Sequence, residues 1–562
     1  MICQRKWVRR LLRLGGGAAA TLLAVWGAML LLMWHWVARP PPLPAEAAAP
    51  ARQETRADRV YVGRSWFGRR EGLAVLYLTG TPYEMGYANG VLTQPLIHRQ
   101  EESVVGLFNR YVPQPWAQFL VKFAVVYKNR RLPEHVLPEH QLEVLGLSRG
   151  CPDAHPELGP YYCRLLNYHG AQDISYMLMH SPLLQAGCTA FGAWGAATRD
   201  GHLLTARNFD WEADPVFDEG RIVVICEPKD GLAFISLAWA GMAGCVSGMN
   251  RDGVSISVNG APSRLPKEAA TPTCLVAREV LQHARNLAEA TEIIRRRKVF
   301  VSALFLVGSR QDGRFVVIEK TPERLAVREP AESSRIVCAN HFLTPELEGD
   351  ALNQEFRRGD TSVPRYERMK QLLEPEAGAL GPSQCATVLR DRRLVDGQFR
   401  GNGHRSSLNP LIATHAVIMD LTSGIFWAAS PPHQLGRFVA FDLNDPEKTF
   451  PEKLIPADPL LANGEYGRWL KAKALLSDGQ AALKTRDFAR AAACAREAET
   501  LNPGFYRNSW LLAESLSRLG RGQEALRACR RALDGQPALG AERQKLEALA
   551  RALGANTELS QP

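Results

Sequence analysis

Gly187-Cys188-Thr189 stands where the chain changes character, and nineteen residues further on comes Arg207-Asn208-Phe209-Asp210-Trp211. Upstream, the segments to about Met179 read mostly as helices, separated by Pro-rich breaks at 113–115, 133–138 and 152–160. Downstream the pattern becomes β-like. Runs 189–198 and 202–209 flank Arg199-Asp200-Gly201, a Gly-containing hairpin signal. Further β runs follow at 221–227, 232–239, 254–259, 300–307, 314–319, 335–340, 414–420, 423–429 and 438–441. Residues 274–297 carry one apolar stripe, from Leu275 and Val276 through Leu281 to Ile293, and predict a helix. Strands interleaved with helices define an α+β layered sheet domain of roughly 270 residues.

Within that domain, Arg207 and Asp210 end an apolar strand, where burying a charge is costly unless it is paired or used. Their three-residue spacing puts them on opposite faces of a regular strand. Both serve one site only if the chain bends near Asn208–Phe209. A lone cysteine at the head of a strand is commonly an inert core residue. These charged neighbours are what mark Cys188 as a candidate nucleophile.

Working outward, residues 59–79 open with a β-like alternation. Gly80-Thr81-Pro82-Tyr83-Glu84-Met85-Gly86-Tyr87-Ala88-Asn89-Gly90 follows, with Pro82 suited to an early helical position. Residues 14–37 carry no formal charge and reach roughly 36 Å as a helix, enough to cross a hydrocarbon core of about 30 Å. A signal peptide is the competing reading, but the apolar run exceeds the roughly 7–15 residues of a signal core, which favours an uncleaved anchor. Arg5, Lys6, Arg9, Arg10 and Arg13 precede it, giving the expectation of a cytoplasmic tip and transmembrane signal-anchor over 1–38. The Pro/Ala-rich 39–58 then reads as a linker, and everything beyond as extracytoplasmic, periplasmic if the source is a Gram-negative bacterium.

The chain has 562 residues, 46% of them apolar, enough for three to four domain-sized units with a large core. Its net charge of +10 is not spread evenly: the first thirteen residues hold +5, the stretch from Glu465 onward another +5, and the body between carries 47 charges of each sign. A neutral body gives no support for nucleic acid as a partner. The eleven cysteines include no CxxC and no Cys/His pair at zinc spacing, so no metal or other cofactor is expected. Cys151 and Cys163 are a candidate disulfide across a Pro-rich loop. In the tail, Gly479, Ala482, Ala491, Ala498 and Pro503 recur 34 residues later as Ala513, Leu516, Ala525, Ala532 and Pro537. That period resembles tetratricopeptide repeats over 465–555, a groove for a peptide or protein partner or a brace for the catalytic domain.

From about Val60 to Asn444 the sequence resembles N-terminal-nucleophile hydrolases of the acyl-coenzyme A:isopenicillin N (6-aminopenicillanic acid) acyltransferase type, peptidase family C45. The resemblance rests on Tyr83-Glu84-Met85-Gly86, Gly187-Cys188-Thr189, Arg207-Asn208-Phe209-Asp210-Trp211 and Gly248-Met249-Asn250-Arg251-Asp252-Gly253. Val337-Cys338-Ala339-Asn340, Ser362-Val363-Pro364-Arg365 and Thr414-His415-Ala416-Val417 add to it. It implies an αββα sandwich and a precursor that cuts itself between Gly187 and Cys188, dividing a helical pro-segment (59–187) from a catalytic chain (188–458). The two chains are expected to stay associated.

The resemblance also carries roles. Cys188 would supply both nucleophile and base, because its freed α-amine has an ordinary pKa of about 7.7–8. Asp210 would hold that amine and Arg207 would stabilise the thiolate, while Asn259 and Asn340 would supply neutral donors to the oxyanion. Arg365 would anchor the charge network. The expected activity is hydrolysis of a linear acyl amide, or acyl transfer to an amine, through a Cys188 thioester. A small-molecule acyl amide is then the partner of the site. His415 offers a Cys–His dyad as a competing arrangement. A degenerate hydrolase fold acting as a scaffold through its repeats is the alternative function. A serine esterase lacks support, since no Gly-x-Ser-x-Gly elbow occurs.

Overall fold

The computed structural model describes residues 21, 24–44, 47, 53–56, 58–170, 173, 185–212, 214–264, 268–330, 334–374 and 378–558. In chain order the strands are β1 (Gln53–Arg56), β2 (Arg59–Val62), β3 (Ser65–Arg70), β4 (Leu73–Gly80), β5 (Gln185–Gly195), β6 (Gly201–Glu212), β7 (Arg221–Pro228) and β8 (Phe234–Trp239). They continue as β9 (Ser247–Asn250), β10 (Val254–Gly260), β11 (Ala303–Ser309), β12 (Arg314–Lys320), β13 (Leu325–Arg328), β14 (Arg335–Cys338), β15 (Ala413–Asp420), β16 (Ile425–Ala429) and β17 (Phe438–Asp442). Among the described residues they form an 11-stranded sheet, β1-β2-β3-β4-β7-β8-β9-β10-β11-β12-β13, and a 6-stranded sheet, β14-β5-β6-β15-β16-β17.

Side-chain alternation along the strands builds the layers. Val223 and Ile225 on β7 point into the space between the sheets, where they meet Ala190, Val417, Met419 and Phe426 of the second sheet. Their neighbours Ile222 and Val224 point the other way, onto helices α1 (Pro82–Tyr111), α5 (Thr273–His283) and α6 (Leu287–Arg296). Beyond the second sheet, Phe191, Leu204, Ala206 and Ile418 pack on α7 (Ser362–Leu373) and α8 (Pro382–Leu389). The result is four layers, helix, sheet, sheet, helix. Between α1 and the second sheet's first strand come α2 (Pro115–Asn129), α3 (Pro138–Gly150) and α4 (Tyr161–Tyr168).

Several expectations change. The transmembrane helix is corrected: among the described residues no helix is long and apolar enough to cross a membrane. The described helical stretch there runs over 24–36, roughly 20 Å long. It packs as one helix on another, with Trp26 on Phe119 at 5.5 Å and Trp36 on Tyr127 of α2 at 5.1 Å between ring centres. The rest of the anchor reading, residues 1–20, 22 and 23, lies outside the described residues. With the helix falls the single-pass placement that rested on it, cytoplasmic tip and extracytoplasmic catalytic domain included. The end of the expected linker forms β1, paired with β2 from Gln53↔Val62 to Arg56↔Arg59. The helix expected over 274–297 is broken into α5 and α6, because Ala284 is extended and the Asn286 side chain caps α6 by accepting from the Glu289 N–H at 2.9 Å. Cys151 and Cys163 are both free and buried.

The expected pro-segment and catalytic chain share one sheet, since β4 runs parallel to β7 from Ala74↔Ile222 to Gly80↔Pro228. Helix α1 starts as its sequence requires: Pro82 lies in the first turn, Thr81 caps the Glu84 N–H, and Glu84 accepts from the Thr81 N–H at 2.8 Å. It then crosses α3 at backbone contact. A Cβ on Gly86 would lie 1.8 Å from the Glu143 carbonyl oxygen, and one on Gly146 would lie 2.1 Å from that of Tyr83. Gly90 and Gly150 repeat the arrangement one turn on, at 2.7 Å from the Leu147 oxygen and 2.2 Å from the Tyr87 oxygen.

The tail forms α9 (Glu465–Lys484), α10 (Phe488–Leu501), α11 (Tyr506–Arg518), α12 (Gly522–Asp534) and α13 (Gly540–Glu558). It is joined to the sandwich by polar contacts, a buried amide pair and an exposed ion pair. Asn402 and Asn502 exchange hydrogen bonds of 2.8 and 2.9 Å, and Lys473 bonds Glu212 at the end of β6 at 2.7 Å. Because the α1–α3 crossing has no room for a methyl group, Gly86→Ala should force the helices apart. It is expected to destabilise the protein by about 1–3 kcal/mol, read as a lowered midpoint in thermal or denaturant unfolding.

Candidate active site

The site forms where β5 and β6 pair. Their register is regular through this stretch, with Gly187 opposite Asp210, Cys188 opposite Phe209 and Ala190 opposite Arg207. Gly187 and Cys188 therefore lie inside β5, Gln185–Gly195. Cys188 is fully buried.

One face of this strand pair looks into the space between the sheets. There Arg207, also fully buried, donates from Nη2 to Cys188 Sγ at 3.3 Å. The same guanidinium donates to the Val246 carbonyl at 2.6 Å, to Ser247 Oγ at 2.6 Å and to the Val258 carbonyl, so β9 and β10 of the first sheet hold it. A buried cation must be saturated in this way to avoid a desolvation cost of several kcal/mol.

The opposite face looks onto α7. From it Arg365 donates through Nη1 to the Cys188 carbonyl and to Thr189 Oγ1, both at 2.7 Å, and through Nη2 to Asn340 Oδ1 at 2.8 Å. The same Asn340 oxygen accepts the Cys188 backbone N–H at 2.9 Å, and the Asn340 amide donates to the Gly260 carbonyl at 2.9 Å. A Cβ at residue 187 would stand 3.2 Å from Arg365 Nη2, so glycine leaves room for the guanidinium.

Asp210 belongs to this second face, opposite Gly187 and in the field of Arg365, Arg405 and Arg207. No bend in β6 brings it round to Arg207. The expected bend is replaced by a two-sided arrangement, with the peptide in the sheet and a buried arginine on either side. The irregularity lies instead on β15, where the register slips between Ala413 and His415. Burial raises the Asp210 carboxyl to about 6 against the pull of the three arginines, and its Oδ1 is buried without a hydrogen-bond partner.

Cys188, Arg207, Asn340 and Arg365 are thus joined by direct hydrogen bonds, and Asp210 is coupled to them through charge. Asn259 stands apart. At the end of β10 its amide donates to the Ala339 carbonyl at 2.9 Å and the Cys338 carbonyl at 3.2 Å, next to Asn340 but not to Cys188. His415 bonds Ser247 Oγ through Nε2 at 3.0 Å and stacks on Phe209 at 5.0 Å. Burial holds it well below the usual imidazole range, hence neutral, and its bond goes to the serine rather than to Cys188.

Four contributors went unnoticed in the sequence. Thr189 and Ser247 each take a bond from one of the two arginines, Asn208 clips β6 to the Leu389 and Leu408 carbonyls, and Arg405 biases Asp210. Thr189 was within reach, because it alternates with Cys188 and so had to face the other side. Arg405 lies in an aperiodic loop and carried no such signal. Among the described residues no group of His, Cys, Asp and Glu could hold a metal ion.

Residues 197–415 match the family described as acyl-coenzyme A:6-aminopenicillanic acid acyl-transferase. The matched stretch includes Arg207, Asp210, Asn259, Asn340 and Arg365 and begins after Cys188. The chain is 28% identical over 396 residues to an uncharacterised protein of Archaeoglobus fulgidus, covering 64% of this chain and 63% of that protein. It is 26% identical over 265 residues to protein dcd1B of Dictyostelium discoideum, covering 44% of this chain and 50% of that one. The chain thus spans less than two thirds of the length of these curated relatives. Among solved structures, an N-acylethanolamine-hydrolyzing acid amidase ortholog from Caenorhabditis elegans aligns at 16% identity with a TM-score of 0.30, covering 42% of this chain and 93% of that one. A variant of the conjugated bile acid hydrolase from Clostridium perfringens aligns at 16% identity with a TM-score of 0.33, covering 47% and 96%.

The Asp210 environment predicts a pH dependence. Its carboxyl is raised above the ordinary 3.8, so between that value and about 6 the folded chain holds a proton that the unfolded chain has released. Stability from this group is present below about 4 and is lost as the pH rises through about 6. In a Cys188→Ala background, Asp210→Asn should therefore raise the unfolding temperature at pH 7.5 by about 2–4 °C or more and flatten its slope between pH 4 and 6, as read by calorimetry.

Proposed function

We propose that the protein is an amidohydrolase or acyltransferase that acts on linear acyl amides through a Cys188 thioester, after cutting its own chain between Gly187 and Cys188. One observation carries the reading. Cys188, the residue after Gly187, is gripped on both sides, Sγ by Arg207 and its own carbonyl by Arg365, while a buried carboxyl oxygen of Asp210 opposite Gly187 has no partner. A peptide that merely crossed a core would not need two buried guanidinium groups and an unpaired acid.

In the cutting step the Cys188 thiol adds to the Gly187 carbonyl carbon and the C–N bond breaks. The acyl group passes to sulfur and the proton to the freed nitrogen. Water then splits the thioester, leaving a carboxylate at Gly187 and an amino-terminal Cys188. With an ordinary pKa of about 7.7–8, this amine can take the thiol proton in each later turnover. The unpaired Asp210 oxygen suits it as a hydrogen-bond acceptor.

For a substrate, the thiolate attacks the amide carbon, the amine leaves with the proton, and water or an acceptor amine resolves the thioester. Arg207 is the cation bonded to that sulfur. Asn340 and Asn259 are the neutral donors near the peptide. Both amides are engaged with carbonyls in the uncut chain, so an oxyanion role requires the cut to release them. The parallel β4–β7 pairing supports two processed chains that stay together. The 34-residue spacing of buried Ala491 and Ala525, and of Ala498 and Ala532, supports reading the tail as tetratricopeptide-like.

Expression followed by gel electrophoresis and N-terminal sequencing tests the cut. The wild-type chain should yield two fragments, the second beginning at Cys188, and folded protein that persists at full length would count against the proposal. Cys188→Ala should stay whole and inactive. Asn340→Ala should cost about 10²–10³ in turnover of a chromogenic acyl amide, read at full processing.

A further inference from the structure

Phe209, the cross-strand neighbour of Cys188, lines an apolar cavity of about 160 Å³ together with Trp211, Phe217, Trp239, Tyr168 and Glu101. Its walls and Cys188 belong to one apolar cluster, and Phe209 is the partner of Cys188 across β5–β6. The rings are arranged as a box: Trp211 and Phe217 are 4.6 Å apart, and Trp239 stands edge-on to Phe209 at 5.6 Å.

Polar groups in this box are left unpaired. Glu101 is only 4% exposed. Its Oε1 accepts from Arg164 Nε at 2.7 Å and from the Tyr168 hydroxyl at 2.8 Å, yet its Oε2 has no partner. Arg164 is shared with Asp153, so two carboxylates answer one guanidinium and the cluster is short of one positive charge. A buried, unsatisfied carboxylate oxygen is costly, and its counterpart is a donor with a charge. Aromatic faces around it are the further mark of an ammonium site.

We propose that this cavity receives an ammonium group carried by the substrate, on either the acyl arm or the leaving amine. The inference rests on the Cys188 reading above for its link to catalysis, whereas binding itself does not require the cut. An ammonium on a short apolar arm fills the box, pairs with Glu101 Oε2 and stacks on the rings. The same amide without the amine leaves that carboxylate unpaired.

The test uses the full-length Cys188→Ala chain and calorimetric titration with benzylammonium, benzyl alcohol and benzoate at pH 7. Benzylammonium should bind about 10-fold or more tighter than the alcohol, and benzoate weakest. Glu101→Gln should erase the preference. Val104→Trp, at the rim and clear of the Arg164 pair, should weaken all three probes even if the Glu101 variant does not fold. Equal binding of the three probes, or a preference that survives Glu101→Gln, overturns the proposal. With the processed wild-type enzyme, 6-aminohexanoyl against hexanoyl anilide, and N-hexanoyl-1,4-diaminobutane against N-hexanoylbutylamine, show which arm carries the charge. The arm concerned should lower KM by a similar factor. If benzylammonium binds selectively and no amide is turned over, the Cys188 reading fails and the cavity assignment stands. If amides are turned over without preference and the probes bind alike, the reverse holds.

Discussion

Two fully buried guanidinium groups grip Cys188 from opposite faces of one sheet, and the rest of the molecule is arranged around that requirement. A cation taken out of water must recover several kcal/mol from hydrogen bonds and charge. For Arg207 the acceptors come from β9 and β10, so the two sheets must be stacked in one register. For Arg365 they come from Cys188, Thr189 and Asn340, so α7 and the end of β14 must be set against β5. Shift either sheet by one residue and every side chain on it changes face, leaving both arginines unpaired.

The outer parts serve the same geometry. Helix α1 reaches backbone contact with α3 through four glycines, which leaves the far end of α1 free to carry Glu101 to the aromatic box. On the other side, the loop that carries Asn402, His404 and Arg405 lies between the tail helices and β6. His404 bonds the Gln536 carbonyl at 2.8 Å, and Leu408 at the end of the loop accepts from Asn208. Glu212, two residues past Asp210, bonds Lys473 of α9. The tail is therefore wired to the strand that carries Asp210, which makes it part of the sandwich's support.

Much of this was legible in the sequence because it follows from period and spacing. The hairpin around Gly201 and the apolar alternation of β7 and β15 follow from local rules, as does the capped start of α1. The charged pair of Arg207 and Asp210 announced a site. What it did not announce was a two-sided one: a bend was the obvious way to unite residues three apart, whereas the fold unites them through the peptide lying between the two faces. Gly187 suits this design because it leaves Arg365 space, a contact between residues 178 apart that no local pattern encodes. Apolarity alone misled at the N-terminus. The described stretch meets α2 through Trp26 and Trp36, and a run of apolar residues does not distinguish a helix partner from lipid.

The charge balance at the peptide bears on how a freed Cys188 amine would act. Around Asp210 stand Arg207, Arg365 and Arg405, three positive charges against the two negative ones of Asp210 and Glu212. Cations nearby disfavour a further positive charge, and burial acts in the same direction, so both would oppose protonation of such an amine. Asp210 acts against them, and its own carboxyl, raised to about 6 by burial, ionises more readily once an ammonium is beside it. Moving Arg405 out of its loop would tilt that balance without touching the peptide. In this sense the aperiodic loop, held by the tail, acts on the Asp210 carboxyl through the charge of Arg405.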